Sequence, residues 1–136
     1  MKDLERFVAA QEGTWPAALA ELRAGSKTSH WMWWVFPQLA ALGRSGTAKA
    51  YGLRDLAEAE AYLAHPVLGP RLVEAMRAML GNRGRAPEEV LGEVDAMKLR
   101  SCATLFAAVP GADPVFGEAL AAFWGGKGDP LTEGLL

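Results

Sequence analysis

Apolar positions recur along most of this chain at three- and four-residue steps. Leu4, Phe7, Val8, Trp15, Leu19 and Leu22 share one stripe with Gln11, which predicts a first helix over roughly the first twenty residues, closed by Gly25. The polar link Lys27-Thr28-Ser29 follows, with Thr28 or Ser29 placed to cap what comes next. His30 to Phe36 is apolar on every side and stops at Pro37, so it reads as a central buried helix. Leu42-Gly43-Arg44-Ser45-Gly46 is a turn-rich connector, and short helical pieces follow at Thr47 to Tyr51 and from Asp55 onward. His65-Pro66 starts a helix whose buried stripe is Leu68, Leu72, Met76, Met79 and Leu80. Pro87 opens another short helix, a longer one covers Glu93 to Val109, and Asp113-Pro114 caps a last one through Trp124. Residues 127–136 read as a tail or docked extension on a core of 1–126. With no sustained two-residue alternation, the expectation is an all-α fold: one compact domain of seven or eight helices, not an up-down bundle.

Polar residues interrupt the apolar faces. On a helical wheel of about 100° per residue, Leu91, Val94, Leu99, Cys102, Leu105, Phe106 and Val109 fall in one arc. Lys98 lies near the middle of that arc and Asp95 inside it, while Ser101 sits at its edge and Glu93, Arg100 and Thr104 face solvent. An aspartate and a lysine three residues apart can touch, and charges among apolar neighbours persist only when paired or when they face a cavity. Gln11 on the first helix and Gln38 after Pro37 repeat the anomaly. If the helices pack on one core, Gln11, Gln38, Asp95 and Lys98 converge on a polar pocket walled by Trp31, Trp33 and Trp34 beside His30. The plainer alternatives are a structural ion pair at a core edge, satisfied core amides and indoles that serve packing.

Composition narrows the chemistry. Among the 136 residues, 51% are hydrophobic, and 14 basic side chains against 16 acidic ones give a net charge of −2, which argues against a nucleic-acid footprint. One cysteine, Cys102, and two histidines exclude an intrachain disulfide and a cysteine or histidine zinc site; no metal or other cofactor is expected. No apolar run reaches the length of about 18 residues that a membrane span needs, and the first residues lack the apolar core of a secretory signal, so a cytoplasmic location without membrane attachment is expected. Gly43-Arg44-Ser45-Gly46 suggests a short anion-binding nest, though without the spacing of a phosphate-binding loop. Lys27, Ser29 and His30 cluster just before the buried aromatic segment, whose first amides would face an anion held there. No Ser–His–Asp constellation is present, and Cys102 on an apolar face reads as inert.

The same segments resemble a known family. Leu4-Glu5-Arg6-Phe7 with Gln11, the block Ser29-His30-Trp31-Met32-Trp33-Trp34-Val35-Phe36-Pro37-Gln38, Leu42-Gly43-Arg44-Ser45, His65-Pro66-Val67-Leu68-Gly69 and Asp95-Ala96-Met97-Lys98-Leu99-Arg100-Ser101 are similar to the bacterial and fungal family catalogued as domain of unknown function 1810. The similarity runs through nearly the whole chain. It departs at Ala96, where the family often has a second acid, and at Cys102-Ala103, where Ser-Met is commoner. The resemblance implies a mainly helical fold and assigns no activity. Some members carry the label calpastatin, but calpain-inhibitory segments are disordered and polar, unlike this half-apolar chain. The arrangement is also similar, in architecture alone, to small helical proteins that act on ADP-ribose or related N-glycosides.

The leading expectation is therefore one pocket for a small anionic ligand, of nucleotide or ADP-ribose type, bound or hydrolysed there. Asp95 and Lys98 are the candidate catalytic pair, the carboxylate orienting water and the ammonium holding phosphate. Gln11, Lys27, Ser29, His30, Gln38, Arg44, Ser45 and Ser101 are the candidate polar contacts, and Trp31 or Trp34 would stack on a base. The rival expectation is a non-catalytic interaction or scaffold module that docks an unidentified protein partner through the tryptophan-rich segment or the apolar tail Leu131 to Leu136, which predicts an exposed apolar patch instead of a closed pocket.

Overall fold

In the computed structural model, which describes residues 3–136, the chain folds into ten α-helices with one 3-10 turn over Ala40–Leu42. The excess over seven or eight helices has two sources. The first predicted helix is two, α1 (Glu5–Glu12) and α2 (Trp15–Ala24), because a continuous helix would set the ring of Pro16 against the Glu12 carbonyl; the chain turns at Gly13-Thr14 instead. The extension at the far end forms a short helix of its own, α10 (Pro130–Gly134).

Between them lie α3 (Met32–Val35), α4 (Gly46–Ala50), α5 (Leu56–Ala64), α6 (Leu68–Leu80), α7 (Pro87–Leu91), α8 (Glu93–Ala107) and α9 (Val115–Trp124). The buried helix expected over His30 to Phe36 is a single turn. Pro37 pushes Phe36 out of helical geometry, to φ −124° and ψ 74°. Trp31, Met32, Val35 and Phe36 are nonetheless all at or below 1% exposure, while Trp33 and Trp34 are half-buried and His30 is exposed, so the segment is central on one side only. Three of the expected helix boundaries are in place. Gly25 ends α2 in the left-handed region at φ 74°, Asp55 accepts from the Glu58 amide at 2.9 Å, and Asp113 accepts from the Val115 amide at 2.9 Å. The His65 ring nitrogen Nδ1 accepts from the amides of Val67 and Leu68, and α6 begins two residues later than Pro66.

Helix α8 runs through the middle, packed by α5, α7, α9 and α10. A line of aromatic rings crosses it: Phe7 against Tyr62 at 5.2 Å, Tyr62 against Phe106 at 5.6 Å, and Phe106 stacked on Phe116 at 5.5 Å. Such pairs add about 0.5–1.5 kcal/mol each beyond the area they bury, so α1, α5, α8 and α9 are joined through their largest side chains. Burial also raises the Cys102 thiol well above its ordinary range, keeping it neutral.

Two positions on α8 depart from the wheel. Thr104, expected in solvent, is buried, because α10 docks on that side: Asp129 donates its amide to Thr104 Oγ1 at 2.8 Å, and the hydroxyls of Ser101 and Thr132 pair at 2.7 Å. Val94, expected in the apolar arc, is 67% exposed, since the first turn of α8 borders a surface cleft instead of the core.

The segment after α3 is pinned by an isolated bridge, with the Leu53 amide donating to the Gln38 carbonyl at 2.9 Å and the Ala40 amide to the Leu53 carbonyl at 2.7 Å. The backbones approach so closely that a Cβ on Gly52 would lie 2.3 Å from Ala40 Cα, so only glycine fits there. At the other end of α3 sits Gln11. Its Nε2 donates to the Trp34 carbonyl at 2.6 Å and to Tyr62 Oη at 3.3 Å, and its Oε1 accepts from Arg71 at 3.2 Å. One amide thus ties α1 to α3, α5 and α6, which explains a glutamine at 1% exposure. Replacing Gln11 by leucine keeps the volume but deprives these groups of their partner, and is expected to lower stability by about 1–3 kcal/mol in urea denaturation.

Candidate functional site

The site begins with a carboxylate that neither periodicity nor motif singles out. Glu21, on the last turns of α2, accepts from the amides of Thr28 (2.8 Å) and Ser29 (3.0 Å), from Ser29 Oγ (2.5 Å) and from Trp31 Nε1 (3.0 Å). Burial pushes this carboxyl up, but the four hydrogen bonds together outweigh it and hold the group down at about 2. The loop thus shaped turns the Ser29 carbonyl toward Lys27, whose ammonium donates to it at 2.7 Å. The Lys27 amide is anchored in turn on the Val90 carbonyl of α7 at 2.9 Å.

Lys27 then meets α8. Its Nζ lies 3.0 Å from Asp95 Oδ2, and Lys98 Nζ lies 3.4 Å from Asp95 Oδ1. The predicted Asp95–Lys98 pair is therefore present, with a second cation that spacing along α8 could not announce. The side chains are 9% exposed for Lys27 and 19% for both Asp95 and Lys98, so the group is largely withdrawn from water. Two ammonium groups share one carboxylate, which leaves one positive charge over. Aromatic faces support the cations without neutralising them: Lys27 Nζ is 5.0 Å from the Trp31 ring centre and Lys98 Nζ is 4.3 Å from that of Trp33.

Lys98 opens onto a cleft of about 380 Å3. Helix α8 supplies Val94, Met97, Lys98 and Ser101 to it, the chain between α3 and α4 supplies Gln38, Leu42 and Arg44, and the last segment supplies Asp129 and Leu131. Arg44 is exposed and has no hydrogen-bond or ion-pair partner among the described residues. A wider groove of about 840 Å3 lies elsewhere, over Pro70, Val73 and Ala112, but its charges neutralise each other: Arg23 pairs with Glu74 at 3.4 Å and Arg77 with Asp113 at 3.0 Å. The smaller cleft has the unspent charge.

The structure brings together only part of the predicted set. Lys98, Gln38, Arg44 and Ser101 share the cleft, with Asp95 and Lys27 behind Lys98. Gln11 is occupied by its bonds to Trp34, Tyr62 and Arg71 and does not converge with them. Trp31 is fully buried and cannot stack on a ligand, and Trp34 is committed to Thr14 Oγ1 at 2.9 Å and edge-on to Tyr51 at 5.2 Å. Ser29 spends its hydroxyl on Glu21 and does not cap α3, while His30 is exposed away from the cleft lining. Ser45 caps α4 by accepting from the Ala48 amide at 3.0 Å. Neither Gly43 nor Gly46 has positive φ, so the expected anion nest does not form there. Leu42, Val94, Met97, Asp129 and Leu131 complete the lining but are not among the predicted ligand contacts: Leu131 belongs to the tail expected to dock a partner, and an apolar side chain kept in water, such as Val94 or Met97, leaves no trace in a periodicity that assumes burial. No trio of His, Cys, Asp or Glu among the described residues is arranged to hold a metal, and none of their helices is long and apolar enough to cross a membrane.

An all-helical protein with a cationic, apolar-rimmed cleft is the class this geometry defines. The chain belongs to the family of proteins of unknown function DUF1810, whose match spans residues 1–136, the family to which the tryptophan-rich block pointed. It is similar to the conserved hypothetical protein Rv1873 from Mycobacterium tuberculosis, known from a crystal structure, with 48% sequence identity and a TM-score of 0.96 over 98% of this chain and 96% of that one. No curated protein matches it.

Because Glu21 ionises at about 2 in the folded chain against an ordinary 4.5, its stabilising bonds are complete above the higher value and are lost as pH falls toward the lower. Glu21→Gln is expected to cost about 2 kcal/mol at neutral pH. Thermal melts of both proteins across acid pH should show this difference shrinking and vanishing near the lower value.

Proposed function

We propose that this protein binds a small anionic molecule in the cleft between α8, the α3–α4 connection and α10, with Lys98 and Arg44 as the anion-holding groups. The observation that carries the reading is charge left unspent: among the described residues Lys98 pairs with a single carboxylate, which it shares with Lys27, and Arg44 across the cleft has no partner. Gln38 and Ser101 supply polar contacts at the wall. A concave site with apolar lining and a few convergent polar groups suits a small ligand.

Binding is better supported than hydrolysis. Asp95 faces an ammonium group on each oxygen and stands behind Lys98, so it acts as a positioning residue and not as a base that orients water. Ligands of nucleotide or ADP-ribose type belong to the proposed class through their phosphates, although Trp31 and Trp34 offer them no stacking face. The competing reading, a docking surface for a protein, draws on the exposure of Val94, Met97 and Leu131 along the same cleft.

A thermal-shift panel of carboxylates, monophosphates and nucleotides separates these readings. A ligand present well above its dissociation constant must raise the melting temperature, so a flat response of the wild type across the panel at millimolar concentration sinks small-anion binding. Lys98→Met is expected to abolish ligand-induced stabilisation while changing the free protein by less than about 1 kcal/mol. Asp95 keeps Lys27 at 3.0 Å in that variant, so no carboxylate is stranded.

A further inference from the structure

Among the described residues the large apolar side chains left in water are Val94, Met97, Leu131, Leu135 and Leu136. The first three, at 67%, 68% and 70% exposure, line the same cleft. Exposed apolar residues scattered singly are ordinary. Three converging from two separate helices on one concavity, with Leu42 facing them from a third segment, are not scattered. Lys98 and Arg44 border the same hollow, so it offers an apolar surface and a cationic one side by side.

The charge count limits the anion. Lys98 and Arg44 share the cleft lining with Asp129, whose Oδ2 accepts from the Thr132 amide at 2.9 Å and hydroxyl at 2.6 Å and thereby holds α10 in place. Asp129 is therefore a fixed negative charge at the cleft wall. One singly charged head balances the site, whereas a polyphosphate would press surplus negative charge against that carboxylate. The Trp33 ring lies 4.3 Å from the Lys98 ammonium and supports it without neutralising its charge.

We propose that the cleft takes an amphiphilic monoanion, a carboxylate borne on an apolar body. The carboxylate sits between Lys98 and Arg44, and the body covers Val94, Met97 and Leu131. This rests on the anion-binding reading and narrows it. Leu131 reaches the site only because α10 is docked through the Ser101–Thr132–Asp129 hydrogen bonds, so the last segment is a wall of the pocket.

Isothermal titration calorimetry of the full chain with sodium octanoate, sodium acetate and adenosine diphosphate tests it. Each methylene withdrawn from water is worth about fourfold in affinity, so octanoate is expected to bind at least about tenfold tighter than acetate, with a negative heat-capacity change. Leu131→Asp and Met97→Asp, both at exposed positions that leave the core untouched, are each expected to weaken octanoate by about tenfold. Acetate or adenosine diphosphate binding as tightly as octanoate overturns the amphiphile while leaving anion binding standing. Octanoate affinity unchanged in both variants overturns it equally, by placing the chain elsewhere. Failure of all three compounds to bind overturns both this inference and the reading beneath it.

Discussion

A lysine ammonium withdrawn from water stays charged only where oxygen atoms replace the water it has lost. For Lys27 those atoms come from the Ser29 carbonyl at 2.7 Å and the Asp95 carboxylate at 3.0 Å, and the rest of the site follows from that requirement. The carbonyl is presented by a loop that Glu21 shapes with four hydrogen bonds, and the carboxylate stands on the first turn of α8. Satisfying Lys27 therefore locks the link after α2 onto α8. It also uses one oxygen of the carboxylate that Lys98 needs. Lys98 is held close enough to be oriented and is left with charge to offer.

The surroundings keep that arrangement stiff. Helix α8 is clamped on several sides, by aromatic contacts running from Phe7 through Tyr62 and Phe106 to Phe116, and by α10 through hydroxyl and carboxylate bonds. The two clamps differ in kind. The aromatic line gains from burial. In α10, by contrast, Thr132 is buried while Leu131, and Leu135 just after the helix, remain 70% and 51% exposed, so that helix is held chiefly by polar bonds. A segment fastened in this way belongs to the less stable parts of a fold. It is also the segment that completes the cleft.

Much of the fold was legible along the chain. Helix type, the side-chain bonds of Asp55 and Asp113, the stop at Gly25 and the burial of Trp31, Met32, Val35 and Phe36 all follow from neighbours within about one or two turns. The break at Gly13-Thr14 could have been read from Pro16, because its ring cannot follow an uninterrupted turn. The site was legible only in part. Asp95 and Lys98 stood out because charges inside an apolar arc are costly, and Gln38 and Arg44 stood out as polar groups in apolar or turn-rich surroundings. Gln11 gave the same signal for another reason, since a buried amide that joins four helices looks, in sequence, like one that waits for a ligand.

The sequence by itself determined the class of structure, the positions of most helices and the presence of an Asp95–Lys98 ion pair on α8, because each depends on periodicity or on residues three or four apart. Tertiary structure alone decided that Lys27 joins that pair from 68 positions away, that Thr104 is covered while Val94 is bare, and that Leu42, Asp129 and Leu131 meet Lys98 at one cleft. The reason is physical. Burial and charge balance are properties of what a side chain faces across space, and a helical face carries no mark of whether a core, another helix or water will lie against it.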